Sequence, residues 1–137
     1  MQLKRDTEYA LRIMTCIAEH LKKDGPQAGV SPHEVITDTG IPVVTFYRIC
    51  RYLEEQQIIL KRASIDGRKR LYPGKDFWQH SILSIGRAVE GNMELFILFD
   101  KSTPFAKTYG EKLQETQADL NQLLSKTTLK DMIYSHE

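Results

Sequence analysis

The residues of this chain whose types and spacing suit chemistry are arginines, lysines and a tyrosine. Across Val43 to Leu53, Phe46, Ile49, Cys50 and Leu53 share one helical stripe, which leaves Val43, Val44, Thr45, Tyr47, Arg48 and Arg51 on the other faces. A surface helix needing only solubility would carry Glu and Lys there; small, aromatic and arginine side chains suit a nucleic-acid groove instead. An arginine can donate two bonds to guanine O6 and N7, clamp a phosphate, or stand in solvent, and for Arg48 all three readings stay open. Val44 and Thr45 are candidates for contact with a thymine methyl or for a solvent-facing or capping role, and Arg51 for a phosphate. From Lys61 to Lys75 six basic residues stand against Asp66 alone, a local charge of +5 in a chain whose net charge is only +1. Within that run Arg68, Lys69 and Arg70 suit phosphate screening or the insertion of one arginine into a minor groove, and a solvated face is the bland alternative.

Other chemistry is sparse. The sequence holds no glycine-rich phosphate loop, nucleophile elbow, metal motif or paired catalytic carboxylates, so no enzyme is expected. Two cysteines, Cys16 and Cys50, exclude a disulfide framework, a Cys-only zinc site and a cluster held by three or four thiolates. Both fall on apolar stripes and read as core, with a thiol switch as the alternative. His20, His33, His80 and His136 show no ligand spacing, so neither a metal nor a cofactor is expected.

The elements that must position the basic residues follow from periodicity. Asp6 and Thr7 are N-cap candidates for a helix ending near Lys23, with Tyr9, Ala10, Ile13, Met14, Ile17, Ala18 and Leu21 at spacings of three and four. Ser31, Pro32 and Glu34 form a capping box for a short second helix that stops by Gly40, and Gly40-Ile-Pro42 is a tight connector into the third. Ile58 to Ala63 and Arg70 to Tyr72 read as strands of a hairpin turned at Asp66-Gly67. A fourth helix is expected over Phe77 to Val89, with Ile82, Leu83, Ile85, Ala88 and Val89 inward. After a connector reaching Pro104, a long helix over Ala106 to Lys126 carries Ala106, Tyr109, Leu113, Thr116, Leu120 and Leu123 in heptad fashion, with Leu124 adjacent. A helix this long with such a stripe wants a partner, although Gly110 is expected to weaken its first turn.

Helix, helix, tight turn, helix and basic hairpin is the order of a winged helix-turn-helix, whose third helix enters the major groove of double-stranded DNA. A length of 137 residues at 41% apolar composition allows one core and one domain. The longest apolar run, Leu95 to Phe99, is far short of the roughly 20 residues of a membrane span. The N-terminus turns charged at once with no export signal, so a cytoplasmic protein away from membranes is expected.

Four blocks of the sequence, Asp6-Thr-Glu-Tyr-Ala-Leu-Arg, Gly40-Ile-Pro with Phe46, Ile49 and Leu53, Gly86-Arg-Ala-Val-Glu-Gly and Lys126-Thr-Thr-Leu-Lys-Asp-Met, resemble the Rrf2 family of bacterial transcription regulators over nearly the whole chain. The resemblance implies a mainly α (α+β) fold, a winged helix-turn-helix with a long C-terminal dimerisation helix. It implies a homodimer that binds a palindromic operator, with Tyr47 and Arg48 at positions facing base edges. The expected organisation is a single domain, with the DNA-binding part at 1–75, a connecting helix and loop at 76–104, and the dimerisation helix and tail at 105–137. Thr7 and Tyr9 are expected near phosphate, Tyr9 equally as core. Family members that sense iron-sulfur status or nitric oxide resemble one another in three connector cysteines; residues 92–107 contain neither cysteine nor histidine, so no iron-sulfur cluster is expected. The wing, Asp66-Gly-Arg-Lys-Arg-Leu-Tyr72, departs from the family's glycine-rich pattern, so only charge and position carry over. Leu95 to Phe99 is expected as core beneath the dimer helix, or as an effector pocket or docking patch. The expected function is sequence-specific transcription regulation, most simply repression; the alternative is a dimeric winged-helix module that docks a protein.

Overall fold

The computed structural model describes residues 5–94 and 102–134, so the Leu95 to Phe99 segment and His136 lie outside the described residues. Helix α1 (Arg5–Asp24) is the centre of the fold, because its stripe of Ala10, Ile13, Met14, Ile17, Ala18 and Leu21 is buried along its length. Against it pack α2 (Pro32–Thr39), α3 (Val43–Glu55), α4 (Ile82–Glu90) and α6 (Leu129–Tyr134). Each fully buried Ile, Leu or Phe in such a core contributes about 1.5–3 kcal/mol.

The joint between α2 and α3 is built from local chemistry. Ser31 caps α2 by accepting the Glu34 N–H at 3.1 Å, and Gly40 ends it in the left-handed region at φ 70°, donating to the Ile36 carbonyl at 3.0 Å. Pro42 then stands as the N-cap of α3. Phe46, Ile49, Cys50 and Leu53 are buried, as the stripe predicted. Strands β1 (Ile59–Ala63) and β2 (Lys69–Pro73) pair antiparallel, Leu60 opposite Tyr72 and Arg62 opposite Arg70. Beyond β2, Val30 exchanges two backbone hydrogen bonds with Leu71 at 2.8 and 2.9 Å, tying the wing to the loop before α2. At the wing's base Gly74 donates to the Ile58 carbonyl at 3.0 Å, so close that a Cβ there would meet the Gln57 oxygen at 2.0 Å.

Several expectations are corrected. Helix α1 already includes Arg5, so Asp6 and Thr7 lie in its first turn and are not its cap. The expected fourth helix is broken: Phe77–Gln79 is one turn of 3-10 helix, His80 is extended, and α4 begins only after Ser81, which caps it by accepting the Ser84 N–H at 3.0 Å. The backbone there is occupied elsewhere, since Ile82 donates to Thr127 at 3.0 Å and the His80 carbonyl accepts from Leu129 at 2.9 Å. Leu83, Ile85, Gly86 and Val89 are the buried positions of α4, whereas Ile82 and Ala88 are half-buried. Helix α6, expected only as tail, is a true element. Thr128 and Asp131 cap it reciprocally at 3.1 and 3.2 Å, and Leu129 and Ile133 enter the core beside α1.

Helix α5 (Pro104–Lys126) begins at a Thr103 cap and runs unbroken through a buried Gly110. The seven expected dimer residues split between two faces. Ala106 is buried and Leu113, Leu120 and Leu124 are half-buried toward their own chain, while Tyr109, Thr116 and Leu123 are exposed. The inward face is set by α4 and its following loop, where Gln117 donates to the Met93 carbonyl at 3.4 Å. Phe105 stacks on Tyr109 at 5.4 Å and extends the outward face. Among the described residues no helix is long and apolar enough to cross a membrane.

Candidate nucleic-acid interface

The outer face of α3 presents Val43, Val44 and Tyr47, respectively 54%, 83% and 45% exposed, followed by an exposed Arg51; Thr45 is half-buried. Among the described residues no side chain caps the first turn of α3 and no acidic residue stands in it, so the positive end of its dipole is not offset there. Tyr47 is braced on both sides: its ring meets Phe46 edge-on at 5.1 Å, and Lys61 Nζ lies over it at 5.2 Å. That cation links wing to helix. Lys61 belongs to the basic run but was not among the expected contacts; its position opposite the buried Leu71, on the inner face of the hairpin, would have placed it toward α3.

Arg48 is held rather than free. Its Nη1 and Nη2 donate to Asp6 Oδ2 and Oδ1 at 2.6 and 3.1 Å, a bidentate pair between the third helix and the first turn of α1. The bond to Arg48 holds the Asp6 carboxyl below its ordinary value, and the same bond raises the guanidinium further. End-on pairing engages both terminal nitrogens on Asp6, and Tyr52, one turn along α3, is a second hydrogen-bond partner of the guanidinium, whose side chain is still 40% exposed.

The wing tip is exposed and charged. Arg68 and Lys69 are exposed and Arg70 is half-buried. Arg62 sits directly across from Arg70 and also over the Tyr72 ring at 4.8 Å. The turn is fixed by its own residues: Ser64 pairs with Asp66, whose carboxylate accepts the Arg68 N–H at 3.0 Å, and Gly67 takes φ 82°. The Ser64 hydroxyl and the Arg68 N–H keep the Asp66 carboxyl low. Ile65, at the same tip, is fully exposed and was not anticipated as part of the face.

Thr7 does not join this face. It is buried at 8% exposure, and its N–H and hydroxyl both donate to Glu90 Oε1, at 3.0 and 3.3 Å, so the donors meant for a phosphate satisfy the end of α4 instead. Tyr9 is half-buried against the core beneath the Arg12 guanidinium, 5.3 Å from its ring centroid. Cys50 is buried and its thiol is pushed up to about 12 by burial. Cys16 packs against the core from its edge: it is half-buried, lines a surface groove as well, and is pushed up to about 12 by burial and by Asp38. Thiols raised this far are poor nucleophiles at neutral pH, which disfavours a switch through either.

A two-stranded wing following a helix-turn-helix defines a winged helix. No protein-family model matches the sequence, and no curated protein does. Solved structures do share the fold. CymR (YrzC), the global cysteine regulator of B. subtilis, superposes with a TM-score of 0.76 over 100% of this chain and 98% of its own at 14% identity. IscR of T. potens gives 0.72 over 100% of this chain and 89% of its own at 16% identity. CymR of Staphylococcus aureus gives 0.68 over 96% and 97% at 16% identity. The chain thus has the fold that its resemblance to the Rrf2 family implied: mainly α, a winged helix-turn-helix followed by a long helix.

Proposed function

We propose that this chain is a sequence-specific DNA-binding transcription regulator of the Rrf2 family, acting in the cytoplasm as a homodimer on a palindromic operator and repressing by occlusion. The observation that carries the reading is the contact of Lys61 with Tyr47, which brings the basic wing against the outer surface of α3. The outer surface of α3, with Tyr47, Arg48 and Arg51, is joined through Lys61 to a wing bearing Arg62, Arg68, Lys69 and Arg70. In this reading α3 enters the major groove, with Val44 and Thr45 at base edges, and the wing follows the backbone or the adjoining minor groove. The outward side of α5 supports dimerisation, because Phe105, Tyr109 and Leu123 are large apolar side chains left exposed there, with Thr116 between them. Two-fold symmetry then sets the recognition helices about 34 Å apart, or a multiple of it. The reading assigns no reaction, and no iron-sulfur cluster in a connector that lacks cysteine.

Selection of binders from a random duplex pool tests it, followed by affinity over a salt series on the winning and a scrambled duplex. Enrichment of one interrupted palindrome, bound about a thousandfold or more tighter than the scrambled duplex, is the expected result. Unselective binding overturns the operator, and no binding at low salt moves the function to a module that docks a protein.

A further inference from the structure

Away from the basic face, an open groove of about 1000 Å³ runs between α1, the end of α2 and α6. On its wall three side chains of metal-ligating type converge. Cys16 and His20 stand one turn apart on α1, and Asp38 comes from the last turn of α2; one donor atom from each lies within 4.8 Å of the others. His20 Nε2 is 3.2 Å from Asp38 Oδ2, and Cys16 Sγ is 3.8 Å from the same oxygen. The other ring nitrogen of His20, Nδ1, faces Glu34 Oε2 at 3.9 Å, one turn before Asp38 on α2.

We propose that Cys16, His20 and Asp38 form a binding site for one divalent transition-metal ion of the zinc class, with the fourth position open to the groove. The separations carry this. Zinc bonds of about 2.0–2.1 Å to nitrogen and oxygen and about 2.3 Å to sulfur, at tetrahedral angles, put N and O roughly 3.3 Å apart and S and O roughly 3.5 Å apart. The observed 3.2 and 3.8 Å lie within a few tenths of an ångström of those values. The ion displaces the Cys16 proton into solvent on binding, and a thiolate and an imidazole beside one carboxylate select zinc or cobalt over magnesium or calcium. Three protein ligands with an open position fit the half-exposed wall on which they stand. Sequence reading passed over the site because its only local sign is the single turn between Cys16 and His20; Asp38 arrives through the packing of α2 on α1.

The experiment uses the full chain, untagged, reduced and stripped with a chelator, titrated with cobalt(II) and then zinc(II). One equivalent of cobalt per chain is expected, with a thiolate-to-cobalt charge-transfer band in the near ultraviolet that zinc abolishes. Cys16→Ser removes the band and Cys50→Ser keeps it. His20→Gln and Asp38→Asn weaken cobalt affinity at least tenfold. Circular dichroism melts confirm that each variant is folded. Absence of the band in the wild-type chain overturns the proposal, and so does a band that survives Cys16→Ser or is lost in Cys50→Ser.

Discussion

Replacing Asp6 by asparagine separates a positioned Arg48 from a merely neutralised one. Arg48 spends its two terminal nitrogens on Asp6, and with the side chain 40% exposed it still presents an edge to a ligand. If that edge reads a guanine, Arg48→Ala should cost about 1–3 kcal/mol on the preferred operator, roughly 5- to 150-fold, with much less lost on a scrambled duplex. The Asp6 partner is worth less. The side chains of Asp6 and Arg48 are 24% and 40% exposed, so the pair is screened and holds the arginine by only about 0.5–1 kcal/mol. Asp6→Asn should therefore weaken operator binding about two- to fivefold and leave scrambled DNA almost unchanged.

A double-mutant cycle on both duplexes, read by fluorescence anisotropy at fixed salt, measures the coupling directly. In the Arg48→Ala background Asp6→Asn should have no further effect on the ratio of operator to scrambled affinity. The opposing physics predicts the reverse sign: a carboxylate near DNA repels phosphates, and its removal would tighten binding to every sequence. Tighter binding of both duplexes by Asp6→Asn, or effects that simply add, refutes the idea that α1 aims the recognition arginine.

Four further expectations follow from the same structure. Gly74→Ala drives a Cβ to 2.0 Å from the Gln57 oxygen, where only backbone can yield, and should lower unfolding free energy by about 1–3 kcal/mol or more in chemical denaturation; an unchanged midpoint would disprove the close approach. Tyr109→Glu with Leu123→Glu, at positions 56% and 61% exposed, should weaken self-association about a hundredfold in sedimentation while leaving helix content intact, and a persistent dimer would place the interface elsewhere. Lys69→Ala should weaken binding alike on all sequences and reduce the slope of log affinity against log salt by about one, whereas a loss confined to the operator would make it a base reader. The stability that Asp6 gains from Arg48 is fully present above its ordinary value of 3.8 and lost as pH falls through the lowered folded value. The difference in denaturation midpoint between wild type and Asp6→Asn should thus hold steady above about pH 5 and shrink in acid; growth of that difference in acid would mean that the carboxyl is raised.

What was legible in the sequence is what neighbours along the chain decide. The Ser31 cap, the Gly40 stop, the buried stripe of α3 and the turn at Gly67 each depend on residues within a few positions, and each is found where periodicity and turn chemistry put it. The departures are tertiary. The Phe77 to Val89 pattern is continuous in sequence, yet the His80 to Ile82 backbone bonds to the chain near Thr127 and breaks the helix. Thr7 has the chemistry of a phosphate ligand, but Glu90, 83 residues away, takes both its donors. The heptads of α5 were visible, and their division between an inward and an outward face was not, because α4 and Met93 decide which half is covered. Helix α6 was missed despite a local sign: Thr128-Leu-Lys-Asp131 is a capping box ahead of two apolar residues that reach the core.

The proposed interface breaks local rules where the core obeys them. Arg62 directly opposite Arg70 is an unfavourable cross-strand pair, and a fully exposed Ile65 at the tip contributes nothing to a monomer in water. Val44 at 83% exposure in the first turn of α3 is equally out of place on a helix whose other face packs so completely. Each feature becomes favourable against one kind of surface: a polyanion relieves the arginine pair, and groove edges offer methyl groups to Val44 and Ile65. A docking partner could cover the apolar residues, but it would have to be strongly acidic to suit Arg62, Arg68, Lys69 and Arg70 as well. Violations that one ligand resolves together are stronger grounds for DNA than net charge, which at +1 would have argued against it.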